Sequence, residues 1–121
     1  MRKIKFRAWD SFNECYYYSD EDRFPNLSAF FIHVKFCEDG GNGIIIEQYT
    51  GLKDKNGLEI YEGDIVKKDR LIPLIGLVTY QTESTRFWIS IPRVGQKDDW
   101  TFIGDNCEVI GNIHSNPELL K

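Results

Sequence analysis

The chain has 121 residues, with 15 Lys+Arg against 19 Asp+Glu, a formal net charge of −4, and 41% hydrophobic and 14% aromatic content. That length fits one compact domain or two small joined lobes burying roughly two-thirds of the unfolded surface, and it is too short for a large α/β barrel or a two-domain dinucleotide enzyme. The apolar content excludes a disordered tail, and no stretch approaches the ~18 apolar residues of a membrane span, so no membrane partner is expected.

Period-two alternation dominates from the start. Ile4, Phe6 and Ala8 share one side of a predicted strand, and Lys3, Lys5, Arg7 and Trp9 take the other. Glu14, Cys15, Tyr16, Tyr17 and Tyr18 predict a second strand, because aromatics suit a half-buried pleated surface. Asp20, Glu21, Asp22 and Pro25 then break the pattern. Residues 27–36 fit two periods. Leu27, Phe30, Phe31 and Val34 have helical spacing with Asn26 as an N-cap, whereas Phe30, Ile32, Val34 and Phe36 alternate. The aromatic and β-branched content favours a strand, joined by a Gly-rich loop over 38–43 to a hairpin partner at 44–49.

Beyond Tyr49 the punctuation changes. Asn56-Gly57 marks a tight turn before Leu58, Glu59, Ile60 and Tyr61, and Glu62-Gly63-Asp64 leads into Ile65, Val66 and Lys67, with Asp64 placed to accept from nearby backbone N–H groups. Further strands are expected at 74–80, 87–91 and 107–113. In the second, Phe87, Ile89 and Ile91 face one way, and Trp88 and Ser90 the other. Asn116 is placed to cap a closing turn through Pro117 and Leu120. Short strands at such spacing predict a small β-barrel. A composition shift near Gly51 divides the chain into a β-rich lobe over 1–50, packed on a barrel lobe over 51–121.

Three stretches together resemble the YopX family of small phage and prophage proteins. They are Arg2-Lys3-Ile4-Lys5-Phe6-Arg7-Ala8-Trp9-Asp10, then residues 48–57 (QYTGLKDKNG) continuing through Ile60-Tyr61-Glu62-Gly63-Asp64-Ile65-Val66, and residues 109–120 (VIGNIHSNPELL). The resemblance implies a mainly β protein with minor α content and an SH3-like small barrel in its C-terminal part. It also implies a gene carried by phage or prophage, and it implies no activity. Residues 12–43 match the family pattern poorly. The motif residues read as structural: Gly51, Asn56, Gly57, Gly63, Asp64 and Gly111 as turn residues, between alternating apolar positions.

Chemistry is sparse. Cys15, Cys37 and Cys107 are an odd number without a paired motif, which points to free thiols in a reducing cytosol, the resemblance implying that of a bacterial host, and the basic N-terminus is not followed by the apolar run of a signal peptide. His33 and Cys37 are four apart, but the other thiols and His114 are scattered, so no metal site is expected. The acidic groups Asp20-Glu21-Asp22, Asp98-Asp99 and Glu62 with Asp64 read as solvated loops and turn residues. Neither a nucleophile elbow nor a phosphate-binding glycine motif occurs, so neither an enzyme nor a cofactor is expected. Two basic clusters stand out as candidate nucleic-acid contacts: Arg2, Lys3, Lys5 and Arg7 ending at Trp9, and Lys67, Lys68 and Arg70. The acidic balance opposes that use. Tyr16, Tyr17, Tyr18, Trp88 and Trp100 cannot all enter one small core and are candidate interface residues. The expected role is therefore non-catalytic binding, as a homo-oligomer or to a host or phage protein, with a nucleic-acid-binding barrel as the alternative.

Overall fold

The computed structural model describes residues 3–37, 43–93, 95, 99–104 and 106–121. Within them the chain is mainly β: nine strands in antiparallel sheets, one α-helix and a closing 3-10 turn, divided between two units, Met1–Tyr49 and Thr50–Lys121.

In the first unit, β1 (Phe6–Asp10) lies between β2 (Cys15–Tyr18) and the first part of β3 (Ile44–Lys53), a strand that runs on past Tyr49 into the second unit. The register sets Arg7 opposite Tyr18 and Glu47, and Trp9 opposite Tyr16 and Ile45, so these side chains share a face. Asp10 closes the β1–β2 turn. Its carboxylate accepts from the backbone N–H groups of Phe12 (3.0 Å) and Asn13 (3.1 Å), from the Asn13 amide (2.8 Å) and from the Tyr17 hydroxyl (3.0 Å). On the other face Ala8, Phe24, Phe30 and Val34 form a core, with Phe6, Tyr17 and Ile44 packed against it.

Residues 27–36 are not the expected strand. They form most of α1 (Leu27–Cys37), so residues 38–43 connect a helix to a strand rather than closing a hairpin; 38–42 lie outside the described residues. Asn26 caps α1, its Oδ1 accepting from the Ala29 N–H at 2.9 Å. Helical spacing brings Phe30 and Val34 into one core with Ala8, whereas alternation would add Ile32 to that face, and Ile32 is exposed. Tertiary burial overrides β-propensity here.

The second unit contains β4 (Glu59–Tyr61), β5 (Asp64–Lys68), β6 (Leu74–Gln81), β7 (Arg86–Ile91), β8 (Asp99–Thr101) and β9 (Cys107–Asn112). The order β8-β7-β6-β5-β9 is a four-strand meander, β5 to β8, with a fifth strand, β9, returning to pair with β5, the order of a small SH3-like barrel. Ile60, Val66, Val78, Ile89 and Cys107 form its core, flanked by Phe87, Ile91, Ile103 and Val109. Strand β8, three residues long, has no counterpart among the expected strands, and it begins at Asp99, a residue expected in a loop.

One carboxylate organises the turn before β4. Asp54 Oδ1 accepts from the N–H groups of Asn56 and Leu58, each at 2.9 Å, and Oδ2 accepts from Val109 of β9 at 3.0 Å. Gly57 takes φ 85° there and Asn56 stays outside the left-handed region. Asp64 accepts from the Tyr61 N–H at 2.8 Å across Gly63, which has φ 89°. Gly51 does not occupy a turn but lies within β3, with φ 89°, and Gly111 does not occupy one either. It lies in β9 beside a bulge, where a Cβ would stand 2.6 Å from Asn116 Oδ1. Asn116 makes no side-chain cap to the closing turn; its Oδ1 accepts from the Asn112 N–H at 3.2 Å.

Candidate functional site

The basic strand at the start turns inward. Arg2 lies outside the described residues, and Lys3 is exposed. Arg7 Nε donates to Glu47 Oε1 at 2.8 Å, with both side chains 5% exposed. The same oxygen accepts from the Tyr16 hydroxyl at 2.9 Å, and the Arg7 guanidinium lies 4.0 Å from the centre of the Tyr16 ring. Lys5, also buried, pairs with Asp20 at 3.2 Å. Trp9 is buried edge-on to Tyr16, with ring centres 5.0 Å apart, and offers no open face for a base. The second cluster is spread out. Lys67 is half-buried opposite Glu108, Lys68 donates to the Thr101 hydroxyl (3.0 Å) and the Phe102 carbonyl (2.9 Å), and Arg70 is exposed. Beside it, Lys55 pairs with Asp69 at 2.8 Å, and this ammonium holds the Asp69 carboxyl below the usual carboxylate range.

The three tyrosines of β2 also work within the first unit. Tyr16 and Tyr18 stack on one face with ring centres 5.8 Å apart. Tyr17 points the other way, against His33 of α1 at 5.3 Å, and donates to Asp10. Burial pushes the Tyr17 hydroxyl up to about 12, assisted by its bonds to Asp10 and Cys15. His33 also meets the Phe24 ring, at 5.2 Å. Among the described residues no group of three or more His, Cys, Asp and Glu side chains could hold a metal. Cys107 is buried in the second unit's core, and Cys15 is half-buried.

The second unit presents a different surface. Register sets Ser90 of β7 between Leu77 and Trp100, and Trp88 beside Thr79, so Trp88 and Trp100 share the face opposite the core residues Ile89 and Phe87. Phe102, next on that face after Trp100, packs at a 30° tilt against Trp88 with ring centres 4.7 Å apart. Ser84 accepts from the Trp88 indole N–H at 2.7 Å, and the exposed Arg86 guanidinium lies 5.8 Å from the Trp88 ring. Trp100 is 43% exposed and Phe102 58%. The two Lys68 hydrogen bonds hold Thr101 and Phe102 in place, so these rings sit on an ordered segment. Sequence reasoning missed Phe102. Its signal was the alternation of Trp100, Thr101 and Phe102 after a charged loop. An exposed ridge of Trp, Phe and Arg on a fixed sheet has the composition of interface hot spots, with apolar area to bury at little conformational cost.

No described helix is long and apolar enough to cross a membrane. The family model described as "YopX protein" matches residues 5–121. Among solved structures, protein EF1440 from Enterococcus faecalis is similar at 25% sequence identity with a TM-score of 0.56, over 100% of this chain and 100% of that one. No curated protein matches the chain.

Proposed function

The chain belongs to the YopX family, and from that premise we propose that it is a phage- or prophage-encoded accessory protein of the bacterial cytoplasm that works by binding a protein partner, without catalysis. One observation carries the reading: Trp88, Trp100, Phe102 and Arg86 lie on an outward face of the second unit's sheet, with the Trp100 and Phe102 rings exposed. Such groups contribute when a partner desolvates them, and β8, which has a strand neighbour on one side alone among the described residues, offers an edge to a partner strand. The basic groups support nucleic-acid binding less well, because Lys5, Arg7, Lys55 and Lys68 already have partners inside the fold.

The test is affinity capture from infected-host lysate with and without nuclease, comparing the natural chain with a Trp100→Ala/Phe102→Ala variant. Both positions are exposed enough for the fold to survive. A protein retained after nuclease treatment by the natural chain, and reduced at least tenfold by the variant, supports the proposal. Equal capture by both chains refutes the ridge as the site. Retention that disappears with nuclease would replace it with nucleic-acid binding.

A further inference from the structure

Strand β3 carries ten residues between β1 and β4, and β4 carries three. The turn at Asp54 (Gly57 N–H to Asp54 carbonyl 3.0 Å, Asp54 N–H to Leu58 carbonyl 2.7 Å) sets β4 against the far end of β3, where Thr50 Oγ1 donates to the Ile60 carbonyl at 2.7 Å. On the side away from β1, the stretch from Ile44 to Ile46 therefore has no strand neighbour among the described residues. The direction of its backbone groups follows from the pairing with β1. Ser11 donates to the Gly43 carbonyl and Tyr49 donates to the Lys5 carbonyl, so alternate residues 43, 45, 47 and 49 address β1. Ile44 and Ile46 address the opposite edge. Side chains along it are apolar and accessible, with Ile45 49% and Ile46 39% exposed.

The neighbouring helix continues this strip. His33 meets Tyr17 of β2, which fixes one flank of α1 over the β2 side. Leu27 and Phe31 lie on the other flank, toward β3, with Phe31 touching Phe6 of β1 at 5.4 Å. They are 36% and 40% exposed. A helix apolar nearly all round is ordinarily covered on all sides.

We infer that this edge is the self-association surface of the protein: two copies join β3 to β3 antiparallel about a two-fold axis centred on Ile45. The occupant is a second copy because the surface complements itself. With the axis normal to the sheet, Ile44 of one copy faces Ile46 of the other, and the pair exchanges both backbone hydrogen bonds on each side of the axis. The same operation keeps both α1 helices on one face of the joined sheet, each turning its Leu27 and Phe31 flank toward the seam. The nearest charge on the strand, Glu47, is already neutralised by Arg7 at 2.8 Å, so no like charges meet across the axis. This inference stands on the first unit and does not depend on the aromatic ridge of the second.

Light scattering on the full chain tests it. The expected mass is twice the 14.1 kDa of the chain, falling to a single chain for Ile46→Lys, which places a charge on the seam, with an unchanged circular dichroism spectrum. The Ile45→Cys variant guards against a misfolded lysine variant. Directly opposed Ile45 positions bring Cα atoms to about 4.5 Å, within disulfide range, so mild oxidation should yield a covalent dimer well above the level given by the natural chain. A single-chain mass across the accessible concentration range overturns the inference. So does a dimer that Ile45→Cys fails to cross-link.

Discussion

Arg7 and Glu47 are two opposite charges removed from water on one sheet face, their side chains each 5% exposed. Desolvation of such a pair costs several kcal/mol per ion, and the pair persists because its remaining valences are filled: the 2.8 Å hydrogen bond, the Tyr16 hydroxyl on the same carboxylate and the Tyr16 ring over the guanidinium. Removing one partner is therefore worse than removing both. Glu47→Gln should destabilise the first unit by about 3–5 kcal/mol, whereas Arg7→Met with Glu47→Leu should be close to neutral. Urea unfolding of both variants measures this, through a shift in midpoint at constant slope. A single variant that unfolds like the natural chain would mean that water reaches the pair. None of this was legible in the sequence. Alternation correctly put Lys5, Arg7 and Trp9 on one side of a strand, but a charged side reads as a wet side. The counter-charge stands 40 residues away and becomes a neighbour only through the register.

At the scale of elements, strands with a clean period of two were legible, because burying one face of a pleated ribbon demands that period whatever lies beyond it. The predicted strands at 74–80, 87–91 and 107–113 differ from β6, β7 and β9 by a residue at their ends. The segment containing α1 was not legible, since its apolar residues satisfy both periods and only the presence of Ala8 and Phe24 opposite decides between them. Asn26 held the deciding local information: it caps a helix and has no role in a strand. Asn26→Ala should cost about 1 kcal/mol. Gly76 illustrates a second kind of hidden constraint, a glycine inside a strand where another backbone approaches closely. A Cβ there would lie 2.6 Å from the Ser90 carbonyl oxygen and 2.5 Å from Ile89 Cγ2, whereas at Gly111 its three nearest atoms all belong to the side chain of Asn116. Side chains can turn aside and backbone cannot. Gly76→Ala should thus lose about 1–3 kcal/mol and lower the thermal midpoint more than Gly111→Ala, whose main loss is the Asn116 to Asn112 hydrogen bond. The reverse order in a melting comparison would show that β6 and β7 can separate locally.

For the molecule as a whole, one buried carboxylate in each unit, Asp10 in the first and Asp54 in the second, ties stability to pH. In the first, the Asn13 side chain does most to hold Asp10 below the usual carboxylate range; burial pushes the other way, and the Tyr17 hydroxyl and the Asn13 and Phe12 N–H groups add to the lowering. In the second, burial is the largest single influence on Asp54 and pushes it up, but the three N–H donors Val109, Leu58 and Asn56 together outweigh it and leave it lowered. A folded value below the unfolded one, about 3.9, means that the unfolded chain binds the proton first as pH falls. The stabilisation is complete above about pH 5 and drains away between the unfolded value and the lower folded one. The alkaline side has the opposite origin. The Tyr17 hydroxyl is raised to about 12, so the unfolded chain, ionising near 10, releases its proton first, and the stabilisation present below pH 10 is lost as pH rises toward 12. Stability measured by denaturant titration from pH 2 to 12 should therefore show a plateau with two falling limbs. Asp54→Asn should lower the plateau and flatten the acid limb of the second unit's transition, because an amide can accept from its backbone donors but cannot gain from losing a proton. Tyr17→Phe should flatten the alkaline limb while leaving the Asp54 limb in place. A Tyr17→Phe protein whose alkaline loss matches that of the natural chain would show that the hydroxyl ionises in the folded state without cost, and that the Asp10–Tyr17 bond does not help hold the β1–β2 hairpin.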